Sequence, residues 1–229
     1  MPRSILHVLR PLLFLLCVAL VALVAAGCGN DLAQDPILAL SSEEALDEGK
    51  RLLETEKFSR ARRYLDHAFE AGPNSASGRE ALLRGADAHY LQGGRTNYIQ
   101  CEAKYRDFLN RFPTSQRADY AQFQIANCLF QRMERPDRDQ QITRQALAAY
   151  EELIQLYPTS GHVPEAEQRM VEVFNNLAES EYMVGSFYVR RGLCGAAIKR
   201  LAPLEAQHPN FPDKAKLRYQ LGVAYRNCR

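Results

Sequence analysis

The chain has 229 residues, 46% of them hydrophobic and 24% charged, with 13 Gly and 11 Pro. That is enough apolar material for a packed core, and it excludes a collagen-like or broadly disordered chain. Lys plus Arg number 29 and Asp plus Glu 27; residues 1–27 hold Arg3, Arg10 and no acid, so the remainder balances at 27 against 27. A neutral body lacks the field that draws a polyanion, and no nucleic acid is expected as a partner.

Residues 1–27 read as an export signal. Arg3 and Arg10 form a basic start, and Pro11 to Ala26 is an apolar run of 16 residues, shorter than the roughly 20 that span a bilayer. Ala25-Ala26-Gly27-Cys28 resembles a bacterial lipobox, in which the Cys is acylated and becomes the mature N-terminus. An ordinary signal peptide cut near Gly27 is the alternative. Two or three acyl chains on Cys28 would hold the protein on a membrane, where one alone binds marginally. No Asp follows the Cys, which by resemblance implies sorting to the outer membrane, on its periplasmic face. Residues 28–40 form a short lipidated tether. Export also leaves Cys101, Cys128, Cys194 and Cys228 in an oxidising compartment.

Residues 41–229 carry helical spacing throughout and few strand signals. With Pro73 at position 32 of a 34-residue repeat, Gly49, Leu52, Phe58, Ala61, Leu65 and Ala68 fall on the small and large positions of the tetratricopeptide pattern. With Pro209 there instead, Gly185, Tyr188, Gly192, Ala197, Leu201 and Leu204 do nearly as well. Each unit is two antiparallel helices whose small residues let the backbones approach, closed by a Pro that cannot continue the second helix. Weaker copies end at Pro113 and Pro158. The expected fold is therefore all-α, a tetratricopeptide-repeat solenoid of about four and a half repeats: 41–75, 77–114, 116–159, 163–210 and a half repeat at 213–229. The closing prolines lie 40, 45 and 51 residues apart, so later units carry extra chain. It forms a Gly-containing loop at 92–97, a charged loop at 133–140, and one long helix of about 28 residues from Pro164 to Arg191. Such insertions are where function concentrates.

No catalytic pattern appears. There is no HExxH, no phosphate-binding Gly-rich loop, no GxSxG and no CxxC among these residues. His89 reads as a packed helix residue and the Tyr and Phe residues as core. No enzyme activity, metal or cofactor is expected, apart from the lipid on Cys28. Cys101 and Cys128 read as separate small hydrophobes, whereas for Cys194 and Cys228 a bridge and free thiols both stand.

A specific family resemblance rests on the Asp137-Arg138-Asp139 loop, the Tyr157-Pro158-Thr159-Ser160 turn and a long helix carrying Ala178, Glu181, Val184 and Phe187-Tyr188. It continues through Arg191-Gly192, Ala196-Ala197 and Arg200-Leu201. Together with the lipobox and the Phe112-Pro113-Thr114-Ser115 turn, these resemble the BamD family, tetratricopeptide lipoproteins of the outer-membrane β-barrel assembly machinery. The resemblance implies a scaffold of five repeats. Its N-terminal repeats would take unfolded outer-membrane protein segments. Its C-terminal repeats would dock the POTRA region of the BamA-type barrel subunit and accessory lipoproteins. It marks Arg200, Arg191, Asp137, Arg138 and Asp139 as partner-binding residues. Here the fifth repeat has only its first helix, so one face of Lys214–Asn227 is expected to lack its cover. Rival readings are an exported repeat adaptor working with cell-division or cell-wall enzymes, and an enzyme subunit using repeats as a lid. On helical spacing, Ala197, Ile198, Leu201 and Leu204 face the core, Arg200 flanks them with its guanidinium in solvent, and Pro203 disturbs the helix beside it.

Overall fold

A computed structural model of the chain describes residues 35–207 and 211–228. The export signal, the lipobox and Cys28 lie outside the described residues. The chain divides into two units, Met1–Leu40 and Ser41–Arg229. What is described of the first is a 3-10 turn, Pro36–Ala39, whose start is capped by Asp35 accepting from the Ile37 N–H at 3.2 Å.

The second unit is all-α among its described residues. Its helices are α1 (Ser42–Glu54), α2 (Phe58–Ala71), α3 (Ala76–Gln92), α4 (Arg95–Arg111), α5 (Ala118–Phe130), α6 (Gln141–Leu156), α7 (Val163–Arg190), α8 (Cys194–Gln207) and α9 (Lys214–Asn227). Each packs on the next in chain order, and α1 also touches α3, so contacts stay between neighbouring repeats as a solenoid requires. The helix starts follow local chemistry. Ser41 and Glu44 form a capping box at α1: the Glu44 N–H donates to Ser41 Oγ, and the Ser41 N–H donates to Glu44 Oε2 at 2.9 Å. One turn closes three repeats. Ser75, Ser115 and Ser160 each donate their N–H at 3.0 Å to the carbonyl three residues back, on Gly72, Phe112 and Tyr157. Pro73, Pro113 and Pro158 stand inside these turns, where a helix cannot continue.

The interior follows the repeat positions. Leu52, Ala61, Leu65 and Ala68 are fully buried in the first repeat, as are Ala197 and Leu201 in the fourth. Between them, Cys101, Tyr105, Ala146, Tyr150 and Leu153 join one continuous core from α3 to α7. Several polar groups inside it are paired. Buried Asp87 accepts from the hydroxyls of Tyr105 and of Tyr120, the latter at 2.8 Å, and Tyr150 donates to Asn127 Oδ1 at 2.7 Å. His89 is half-buried with its Nδ1 3.2 Å from Asn97 Oδ1, and burial pushes its imidazole pKa down.

The sulfur chemistry departs from expectation. Cys101 and Cys128 are not separate hydrophobes; they form a disulfide between α4 and α5, with Cα atoms 6.4 Å apart. Cys101 on α4 and Cys128 on α5 lie on facing sides of two packed helices, within bridging reach. Cys194 and Cys228 are also joined, with Cα atoms 5.6 Å apart, so the start of α8 is tied to the residue after α9. Beyond that tie, α9 presents Tyr219 and Tyr225 to solvent while Leu217, Leu221 and Ala224 are buried.

Candidate functional site

The long helix creates the site. α7 has 28 residues and its antiparallel neighbour α6 has 16, so 12 residues of α7, about 18 Å, extend past α6 and pack on α8 instead. Two rows of residues seven apart share one side of α7: Ala166, Val173, Ser180 and Phe187, and Met170, Leu177, Val184 and Arg191. In the first half this stripe is core, with Ala166 and Val173 fully buried and Met170 and Leu177 packed beside them. In the second half it comes out into solvent, with Val184 36%, Phe187 44% and nearby Met183 41% exposed. A stripe that is core for two turns is partly open to solvent over the next two.

The charged residues border this stripe. The guanidinium of Arg191, at the C-cap of α7, lies 5.4 Å from the centre of the Phe187 ring. Arg200 flanks the α8 core as its spacing requires and stays half-exposed, and its guanidinium also has a partner. Nη1 donates to Glu181 of α7 at 2.9 Å (Oε2) and 3.2 Å (Oε1). The cause of this pairing is register: α7 and α8 cross so closely at Gly185 that the helix faces beside the crossing oppose each other. α8 continues through Pro203 without a break.

The Asp137-Arg138-Asp139 loop sits at the other end of the bare stretch. The Glu134 carbonyl accepts from Asn176 Nδ2 at 3.0 Å, which fixes the loop against the middle of α7, where α6 begins. Arg191 is 15 residues further along, about 22 Å away. The loop and Arg191 are thus not brought together; they bound the same stripe from its two ends, with Arg200 held at Glu181 between them. Inside the loop the charges are organised. Arg135 donates to both oxygens of Asp137, at 3.1 and 2.7 Å, and holds its carboxyl below the usual range. Asp139 accepts from the Gln141 N–H at 3.2 Å, and buried Gln140 donates to the Arg135 and Arg138 carbonyls. Arg138 stays 66% exposed. Sequence reading missed Met183, Val184 and Phe187 as a surface; the signal that could have found it was the length mismatch between α6 and α7.

Among the described residues no group of three or more His, Cys, Asp or Glu side chains is placed to hold a metal ion, and no helix is long and apolar enough to cross a membrane.

The family model of YfiO, described as an outer membrane lipoprotein, matches residues 39–227. The chain is 28% identical over 209 residues to the outer membrane protein assembly factor BamD of Caulobacter vibrioides, covering 90% of this chain and 67% of that protein. It is 27% identical over 206 residues to the BamD of Pasteurella multocida, covering 84% and 76%. Among solved structures it is similar to the TPR2AB domain of yeast Sti1, at 14% identity and a TM-score of 0.46, covering 82% and 70%, a likeness of shape too slight to build on. The match over residues 39–227 makes this chain a member of the YfiO, or BamD, family of outer membrane lipoproteins.

Proposed function

We propose that the protein is a non-catalytic scaffold of the outer-membrane β-barrel assembly complex. In this reading it is held at the periplasmic face of the outer membrane by lipid on Cys28 and needs no other cofactor. Its C-terminal repeats dock the POTRA region of the barrel subunit and accessory lipoproteins. Its N-terminal repeats take unfolded outer-membrane protein segments. The observation that carries the docking part is the uncovered half of the α7 stripe, an apolar strip bordered by Arg191, Arg200 and the 137–139 loop. Burying such a strip is worth roughly 25 cal/mol per Å² of apolar surface, and the arginines at its border confer selectivity more than affinity.

The experiment is a pull-down of the lipidated chain from detergent-solubilised envelope, wild type against Arg200→Glu. Recovery of a POTRA-bearing barrel subunit by the wild type, weakened more than about tenfold (about 1.4 kcal/mol) in the variant at unchanged thermal midpoint, is the expected result. Recovery of cell-wall enzymes alone would sink the reading.

A further inference from the structure

Resting on that docking reading, the geometry points to a second determinant of it: we infer that Glu181 is a built-in competitor for Arg200, which makes the surface selective for a partner that brings a carboxylate of its own. Both side chains are half-open to water, Arg200 at 49% and Glu181 at 41% exposure, and they meet at 2.9 Å. Glu181 stands one turn before Val184 on α7, so the pair forms the border of the bare apolar strip. An exposed pair of this kind is weak and exchangeable. It satisfies the guanidinium in the unbound protein yet yields to a better-placed acceptor.

The surrounding charge favours that exchange. Residues 179–200 carry Arg190, Arg191, Lys199 and Arg200 against Glu179 and Glu181, and Glu205 further along α8 is paired with Arg218 at 2.8 Å. The strip therefore fits an apolar protein ridge carrying an acidic residue. When such a partner closes over Met183, Val184 and Phe187, water leaves, and its carboxylate takes Arg200 in the forked geometry that Lys cannot copy. Glu181 must then turn away, because two carboxylates on one guanidinium in a drying interface repel. A partner with no carboxylate leaves the Arg200–Glu181 pair intact and gains nothing from it. Glu181 thus costs every correct partner a little and excludes neutral apolar ones from using the arginine.

The test compares wild type, Glu181→Gln and Arg200→Gln as full-length lipidated chains, titrated with detergent-solubilised barrel subunit at several salt concentrations. Glu181→Gln is expected to tighten binding about two- to fivefold, the size of an exposed ion pair, and to steepen the salt dependence, since the surface becomes more cationic. Arg200→Gln is expected to weaken binding and to abolish the effect of Glu181→Gln in the double variant. Weakening by Arg200→Gln with unchanged or weaker binding by Glu181→Gln would overturn the competitor role and leave the docking surface standing. No change in either variant would overturn both. Both positions are half-exposed, and equal thermal midpoints verify that the variants fold.

Discussion

Gly185 of α7 lies against Leu201 of α8 as Gly49 of α1 lies against Leu65 of α2, each pair sixteen residues apart. A Cβ on Gly49 would sit 2.6 Å from Leu65 Cδ2, and one on Gly185 would meet Leu201 Cδ2 closer still. Both leucines are fully buried, so neither can yield. Gly49→Ala and Gly185→Ala should each cost on the order of 1–3 kcal/mol from overpacking, in spite of a helix-propensity gain of about 1 kcal/mol. Gly222→Ala, exposed in α9 with open space around it, should instead gain about 0.5–1 kcal/mol. Denaturant midpoints of the three variants distinguish the two cases; equal shifts would show that the crossings are not tight.

The two disulfides close loops of sequence separation 27 and 34. Loss of either should cost on the order of 2–4 kcal/mol. They differ in access. Cys101 and Cys128 are fully buried, whereas Cys228 is exposed. Mild reduction of the native protein followed by alkylation and mass analysis should label Cys194 and Cys228 first. Earlier labelling of Cys101 and Cys128 would mean that α4 and α5 separate more readily than their packing implies.

Asp87 is 6% exposed among α3, α4 and α5, and burial pushes its carboxyl pKa up despite the hydroxyls of Tyr105 and Tyr120 and the Arg84 guanidinium at 3.2 Å. A raised carboxyl means that the folded chain keeps this proton at a pH where the unfolded chain has lost it. Its contribution is full below the ordinary carboxylate range and is lost as pH rises through the folded value. The stability of wild type minus that of Asp87→Asn should therefore fall as pH is raised from about 4, read by denaturant titration at successive pH values. A difference that rises with pH would mean that the ion pair with Arg84 outweighs burial. Tyr105→Phe should cost about 1–2 kcal/mol by withdrawing a donor from a buried acceptor.

Cys28→Ala should remove the acyl mass and shift the protein out of the outer-membrane fraction. A soluble wild-type chain with an unmodified N-terminus near Cys28 would refute the anchor.

The repeat architecture was legible in the sequence because it is written locally. Pro73, Pro113 and Pro158 stop helices wherever they stand, and the small residues at Gly49, Ala61, Ala68, Gly185 and Ala197 mark where helices cross, whatever surrounds them. The long helix, read as 164–191 and found as Val163–Arg190, needed only its unbroken spacing and the Pro at its start. The tertiary structure alone decided which stretch of each helix is covered. The α7 stripe has one periodicity from Ala166 to Phe187, yet half is core and half is surface, because α6 ends its reach near Asn176. The partners of Arg200, Cys101 and Cys194 were likewise undetermined in one dimension. Each depends on the distance between two different helices, which is set by packing at Gly185 and its counterparts and has no trace in the spacing of either helix alone.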